Sequence, residues 1–205
     1  MIEDLYRDNP NNSWSSDQIM EYSYVCGYCG HEVSSNRGMP LKIIDGMMVP
    51  RNDKPYGVYL CTHCHMPTFI YRGIQVPGNR FGSPIKNVPD EVNDVYEEAR
   101  SSFAAGAYTG VVLLCRKLLM HIATDLGADE NLKFIQYVNY LNDNHFAGAR
   151  SDQWIDQIRQ FGNQANHEIR INTKEEAQRI IKFCEMILKL NYEYPAIAND
   201  ENSDN

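Results

Sequence analysis

Hydrophobic and polar residues follow two different periods along the chain, and the change falls near Pro89. Between Tyr22 and Tyr71, short runs rich in Val, Ile, Tyr and Thr are separated by turn residues, a pattern typical of β-strands. After Pro89 the apolar residues recur every three or four positions, which is the period of amphipathic helices. The pattern therefore predicts an α+β protein with a small β-rich part followed by a helical part.

The helical part contains five amphipathic segments with short connections, so it is predicted to form a five-helix bundle. Acidic residues directly after Pro89 start the first helix, Ser151-Asp152 starts the fourth, and Asn172-Thr173 caps the fifth. The predicted inward faces are, in order, Val92, Val95 or Tyr96, Ala99 and Phe103; Val111, Leu114 or Cys115, Leu118, Ile122 and Leu126; Leu132, Ile135, Val138 and Leu141; Trp154, Ile158, Phe161 and Ala165; and Ala177, Ile180 or Ile181, Cys184, and Ile187 or Leu188.

The β-rich part is organised around two glycine-marked turns. One strand is predicted to run into Cys26, a hairpin to turn at Asp45-Gly46, and another strand to leave the second turn over residues 68–71. Gly and Pro then recur from Gly73 to Pro89, which predicts a linker. The predicted division is an arm at 1–21, a β-rich domain at 22–75, a linker at 76–89, a helical bundle at 90–195 and a disordered tail at 196–205.

Two Cys-x-x-Cys clips give the β-rich part its chemistry. Cys26 and Cys29 form the first clip, and Cys61 and Cys64 form the second. Four thiolates complete the tetrahedral site that structural Zn²⁺ prefers, and glycine follows the first clip where the chain must turn tightly. We therefore predict a zinc ribbon with an enlarged insertion between its knuckles. An iron–sulfur centre and an empty site are the alternatives.

Three histidines lie close to the clips: His31, His63 and His65. Any of them can replace a thiolate as a ligand, but four sulfurs already fill the coordination shell of one zinc ion. Hydrogen bonding at the surface or around the ligands is the favoured role. A zinc ion with four thiolates has no position for water, so it stabilises the fold and does not catalyse.

Composition and cysteine usage bear on location. The chain is 43% hydrophobic and 22% charged, which is typical of a folded protein in water. It has no apolar run of the roughly 18 residues that cross a bilayer, and its N-terminus lacks a hydrophobic signal core, so we expect a cytoplasmic protein with no membrane contact. The remaining thiols, Cys115 and Cys184, are expected to be buried and free, with a disulfide between them as the alternative.

The net charge of −8 is unevenly distributed. Residues 22–88 carry seven Lys and Arg against three Asp and Glu, so the β-rich part is the basic part of an acidic chain. If the protein contacts RNA or DNA, the rim of the zinc ribbon is the expected place. Ordinary surface charge explains the same pattern.

The fourth helix carries a second candidate site. With ~100° per residue, Arg159, Asn163 and His167 fall at about 140°, 180° and 220° from Trp154, on the side opposite the predicted core face. Gly162 inside the helix costs about 1 kcal/mol relative to Ala, which suggests a close approach at this point. The ridge is either a functional or interface surface, or an ordinary solvated face.

Three stretches resemble a known family: YEEARSSFAAGAY (96–108), LCRKLL (114–119) and IRQFGNQANH (158–167). They are similar to family 4145 of the domains of unknown function, a helical family that is similar to the HEPN superfamily and appears on prokaryotic defence proteins. The resemblance covers about residues 89–190. HEPN ribonucleases carry Arg, a polar residue, three variable residues and His on a late bundle helix, and two protomers present paired motifs to RNA.

On these positions the resemblance places Asn163 as the polar residue and His167 as the histidine. Gly162 stands in the arginine place, so Arg159 or Arg116 would have to supply the cation that phosphoryl chemistry needs. The resemblance also implies a homodimer that forms through the face of helix four.

Three functions follow from these features. The first is a non-catalytic zinc-containing protein for binding and dimerisation, associated with prokaryotic or phage defence or with nucleic-acid processing. The second is a metal-independent HEPN-type endoribonuclease with catalytic candidates His167, Asn163, Arg159 and Arg116. The third is a structural subunit whose protein partner supplies the chemistry. A fold alone does not choose among them.

Overall fold

The computed structural model describes residues 13–41, 56–148, 151–163 and 171–201, and it describes side chains up to Gln160 in the third range and up to Asn199 in the last. These residues form two compact units that divide between Asn79 and Arg80. The first unit contains a β-sheet and the second is helical, so the predicted α+β class is confirmed. The hairpin predicted at Asp45-Gly46 lies outside the described residues.

In its described residues, the first unit is an antiparallel meander of five strands, each paired with the next of the five. The strands are β1 (Asp17–Val25), β2 (Glu32–Pro40), β3 (Tyr56–Leu60), β4 (Pro67–Tyr71) and β5 (Ile74–Val76). β1 begins at Asp17, inside the segment predicted as an arm. Residues 1–12 of that arm lie outside the described residues.

The turn between β4 and β5 is built from only two residues, Arg72 and Gly73. Their φ angles are 49° and 81°, so both lie in the left-handed region that a type I′ hairpin turn needs. The Arg72 guanidinium lies 5.3 Å from the centre of the Tyr71 ring. Glycine serves this turn without strain, whereas Arg72 accepts the less common conformation for a non-glycine residue.

The two faces of the sheet differ in burial. One face forms the small core of the unit, which includes Tyr24, Val33, Tyr59 and Ile70. The other face carries one apolar row across four strands, in which Met39 pairs with Val58, Val58 with Phe69, and Phe69 with Val76. Phe69 is 40% exposed and Val76 is 56% exposed, so this row is open to solvent.

The second unit contains the five predicted helices. They are α1 (Asp90–Ala104), α2 (Tyr108–Asp125), α3 (Phe134–Asp143), α4 (Asp152–Asn163) and α5 (Lys174–Leu188). Pro89 precedes α1 and Thr173 caps α5, both as predicted, and Thr173 also forms a reciprocal capping box with Glu176. Cys115 and Cys184 are fully buried free thiols in the core, with the sulfur of Cys184 3.8 Å from the Cys115 carbonyl.

The end of the helical unit differs from the prediction. A π-helical turn, Lys189–Glu193, follows α5, and a sixth helix, α6 (Tyr194–Glu201), continues from it. Pro195 was expected to lie beyond the last helix and to precede a disordered tail. It lies instead near the start of α6, inside a helical run that continues from α5 through the π-helical turn.

The predicted linker contributes to the helical core. Phe81, Ile85 and Val88 pack against the core of the second unit, and the Phe81 ring lies 5.3 Å from that of Phe103. The Gly and Pro residues of this segment produce an irregular path. The apolar residues between them fix that path to the bundle.

Candidate metal centre

The sheet topology brings the two clips to one edge. β1 and β3 run in the same direction because two antiparallel steps separate them, and each ends in a clip. The first clip joins β1 to β2 just beyond their last residue pair, Val25 and Glu32. The second clip joins β3 to β4 just beyond their last pair, Leu60 and Pro67. The meander alone therefore places all four cysteines at the same end of the sheet.

Each clip is closed by backbone hydrogen bonds of the same pattern. The N–H of Cys26 donates to the carbonyl of His31 at 2.9 Å, and the N–H of Cys61 donates to the carbonyl of Met66 at 3.0 Å. These bonds fold each clip into a tight knuckle whose two cysteines face the same point. Each clip therefore lies on the tight turn that the sequence predicted.

The four sulfurs form one cluster, with all of them within 4.8 Å of one another. The sulfurs of Cys26 and Cys64 lie 3.7 Å apart, and those of Cys29 and Cys61 lie 3.8 Å apart. A tetrahedron of thiolates with metal–sulfur bonds of about 2.3 Å has edges of about 3.8 Å. The spacing therefore fits four ligands around one metal ion, and it is far longer than a disulfide bond of about 2.05 Å.

Local hydrogen bonds favour a thiolate at Cys61. Burial opposes its ionisation, but the N–H groups of His63 and Cys64 each donate to its sulfur at 3.4 Å, and together with the neighbouring thiols they lower its pKa. Burial raises the pKa of Cys64. Zinc ligands must be deprotonated, so amides that point at a sulfur suit a metal site.

Arg159 does not lie on the side opposite the core. Ile155 and Ile158 are fully buried, whereas Trp154 is only half-buried, so the core face of α4 is rotated toward Ile155 relative to the prediction. Arg159 then falls on the flank of α4. Its Nε donates to Oδ1 of Asn139 on α3 at 2.9 Å, and its guanidinium pairs with Asp156 at 2.7 Å.

The other proposed catalytic residues are not brought together in the described part of the chain. The Arg116 guanidinium lies 4.8 Å from the centre of the Phe134 ring, and burial lowers its pKa. His167 lies outside the described residues, as does the side chain of Asn163. The two candidate arginines, Arg116 and Arg159, therefore both make contacts within the helical unit itself.

Sequence reasoning missed a buried arginine in α1. Arg100 is only 7% exposed, and it donates to the carbonyls of Phe81 and Gly82 at 3.3 and 2.8 Å and to the Glu97 carboxylate. Tyr96, also buried, donates to the Ser83 carbonyl at 3.1 Å. These residues belong to the first of the stretches that resemble the family. They tie residues 81–83 to α1, and no periodicity signals such a role.

A hollow of about 240 Å³ lies between α1 and α2 and was also not predicted. Its lining brings together the carboxylate of Glu91, the ammonium of Lys117 and the imidazole of His121. These groups come from two consecutive helices, so spacing within one helix does not reveal them.

Among the described helices, none has both the length and the apolar character that crossing a bilayer requires.

Residues 97–203 match the family model described as domain of unknown function DUF4145. This match covers more than half of the chain, so the protein belongs to that family, as the three resembling stretches predicted. No curated protein and no solved structure matches the chain. The likeness of the bundle to HEPN proteins and of the sheet unit to zinc ribbons stays a prediction.

Proposed function

We propose that the protein is a non-catalytic binding protein whose sheet unit is held together by one structural Zn²⁺. The spacing of the four sulfurs carries this proposal, because opposite pairs are separated by 3.7 and 3.8 Å, close to the edge of about 3.8 Å for a zinc–thiolate tetrahedron. Clusters of several irons place inorganic sulfide between the protein sulfurs, so convergence on one point favours a single ion.

The donor set also supports a structural role. Cys26 and Cys61 are almost fully buried, and the four cysteines supply every ligand of a tetrahedral ion. Such an ion leaves no coordination position for water or substrate. When bound, zinc supplies a covalent-like link between the two knuckles, and the sheet unit needs it because its own core is small.

The open face of the sheet is the proposed binding surface, and single-stranded nucleic acid is its proposed ligand. Tyr56, Phe69 and Tyr71 lie side by side there, with the Tyr56 and Tyr71 rings 5.3 Å apart and the Phe69 and Tyr71 rings 6.4 Å apart. Unpaired bases stack on aromatic rings of this kind, and basic residues follow the backbone. Arg72 beside Tyr71 and the basic composition of residues 22–88 supply positive charge.

Binding of short labelled single-stranded RNA and DNA to the zinc-loaded protein tests this surface. We expect binding that weakens with salt, and a loss of about 30-fold or more in Phe69→Ala/Tyr71→Ala, since two stacking rings are removed and each stacked base contributes about 1–3 kcal/mol. Leu113→Ala, which removes a side chain 59% exposed on α2, is the matched control and should bind normally. Equal binding by the aromatic double variant contradicts the proposed surface.

The helical unit is proposed to supply dimerisation and, through its HEPN resemblance, a role in prokaryotic or phage defence or in nucleic-acid processing. A solution mass of twice that of one chain would support the dimer, and a monomer would contradict it.

Labelled RNA should stay intact, because Arg159 and Arg116 are engaged within the unit. Cleavage that survives chelation and disappears in His167→Ala would instead establish the ribonuclease.

A further inference from the structure

A second group of metal-binding side chains lies on the outer side of the cysteine cluster. Cys29, His31 and His63 each offer one donor atom, and these atoms lie within 4.8 Å of one another. Both histidines are exposed and Cys29 is half-buried, so the group faces solvent. The two imidazole rings are stacked, with centroids 3.7 Å apart and an angle of 17° between their planes.

The knuckles themselves produce this arrangement. His31 lies two residues after Cys29 of the first clip, and His63 lies inside the second clip, so the sheet that joins the clips also brings the histidines together. Nδ1 of His31 lies 3.1 Å from the carbonyl oxygen of Cys29. That contact assigns the proton to Nδ1, and it leaves Nε2 with a lone pair for a metal.

We propose that Cys29, His31 and His63 form a second, solvent-facing site for a borderline transition-metal ion such as Zn²⁺, with the Cys29 thiolate bridging to the inner ion. This inference rests on the proposed inner zinc site. One Zn²⁺ with four thiolates carries a net charge of about −2, which attracts a further cation to its exposed side. Thiolate and imidazole are the donors that such metals prefer.

Binding requires the two stacked imidazole rings to turn apart, because the lone pairs of nearly parallel rings do not meet on one ion. Nitrogen and sulfur atoms on a common tetrahedral zinc lie roughly 3.3–3.6 Å apart, from bond lengths of about 2.1 and 2.3 Å. The donors are within 4.8 Å of one another already, and the two imidazoles are at the surface, where their rings can rotate. Three protein donors leave one position of this outer site open to water or another small ligand. We therefore expect it to bind its ion more weakly than the inner site.

Metal stoichiometry of the untagged full-length protein tests the site. The protein is loaded with Zn²⁺ and dialysed against a weak chelator, and Co²⁺ is then titrated while absorbance is recorded. We expect one retained zinc per chain and one further equivalent of Co²⁺, with a sulfur-to-cobalt charge-transfer band that reports the Cys29 contact. His31→Ala/His63→Ala should retain the zinc but bind no further cobalt, and His121→Ala, which changes an exposed histidine on α2, should behave as wild type.

Three results would overturn the inference. One retained zinc without any further cobalt in the wild type contradicts the outer site alone, as does a further equivalent that the double variant still binds. A wild-type protein that retains no zinc contradicts the inner site and the bridging site together. Retained zinc and a far-ultraviolet circular dichroism spectrum like that of the wild type serve as the control that the double variant is folded.

Discussion

Gly30 and His65 have the same left-handed backbone conformation at equivalent positions of the two knuckles, with φ angles of 74° and 60°. The N–H of Gly30 donates to the Cys26 carbonyl at 2.8 Å, and that of His65 donates to the Cys61 carbonyl at 3.0 Å. The knuckles are therefore two copies of one local structure. In the first knuckle Gly30 adopts the left-handed conformation without strain. In the second knuckle a non-glycine residue, His65, adopts the same conformation.

Gly30→Ala should destabilise the zinc-loaded sheet unit by about 1–2 kcal/mol, because a left-handed conformation is costly for alanine. No atom lies within 4 Å of the added methyl group, so the cost is conformational and not steric. Urea unfolding followed by circular dichroism measures the change. Gly110→Ala is the control, since its site is helical and open, and it should stabilise by up to about 1 kcal/mol. Equal stabilities for wild type and Gly30→Ala would contradict this reading of the knuckle.

Arg100→Met should destabilise the helical unit by about 2–4 kcal/mol, because it removes the donor to the carbonyls of Phe81 and Gly82 and leaves Glu97 paired with the more exposed Arg80. Denaturant unfolding followed by far-ultraviolet circular dichroism checks the loss. Arg100→Lys keeps the charge but cannot reach three acceptors at once, so an intermediate loss is expected. A change below about 0.5 kcal/mol in the methionine variant would contradict the role of Arg100 as the tie to residues 81–83.

Glu185 should make part of the stability dependent on pH. Burial favours its protonated form, but Lys189 and Lys182, at 2.8 and 3.0 Å, outweigh burial and lower its pKa. A lowered pKa in the folded state adds stability above the unfolded pKa of about 4.3, and this stability disappears as the pH falls through the folded value. At pH 7, Glu185→Gln should lose about 1–3 kcal/mol relative to wild type.

Between pH 7 and about pH 3.5, the difference in unfolding free energy between wild type and Glu185→Gln should shrink. Metal release at low pH affects both proteins alike, so the comparison isolates the carboxylate. A difference that stays constant over this range would show that the two lysines do not hold Glu185 ionised.

Arg159 and Asn139 should be coupled in stability. Arg159→Met and Asn139→Ala are each expected to cost about 0.5–1.5 kcal/mol, and a double-mutant cycle should return a coupling of similar size, because both changes remove the same hydrogen bond. Additive effects would mean that the contact contributes nothing to stability.

RNA added to wild type and to Arg159→Met should remain intact in both. Cleavage by the wild type that is lost in Arg159→Met would favour the ribonuclease.

The parts of the structure that local patterns determine were predictable from the sequence. Cys-x-x-Cys spacing identifies the clips, and the threonine and glutamate at the start of α5 identify its capping box. The helical faces of α1 and α2 follow from their period, since Val92, Tyr96 and Ile122 are buried as expected. These features need only residues that are close in sequence.

Features that depend on neighbouring elements were not predictable in the same way. The face of α4 is rotated because Ile155, which was not assigned to the core, is fully buried, and this places Arg159 against α3. Arg100 is buried because residues 81–83 fold back to it, and Pro195 lies in a helical run that continues from α5 through the π-helical turn. Each outcome depends on contacts with neighbouring elements, which the hydrophobic period of one helix does not reveal.

The metal content of the full-length protein tests the central claim most directly. Untagged protein purified in the presence of zinc and dialysed against a weak chelator should hold one zinc and no sulfide-bound iron, measured by inductively coupled plasma mass spectrometry. Cys26→Ser/Cys61→Ser should hold none and lose the sheet signal in circular dichroism, whereas Cys115→Ala should keep its zinc. Wild-type protein that folds its sheet without a bound ion, or that holds iron with inorganic sulfide, would contradict the account.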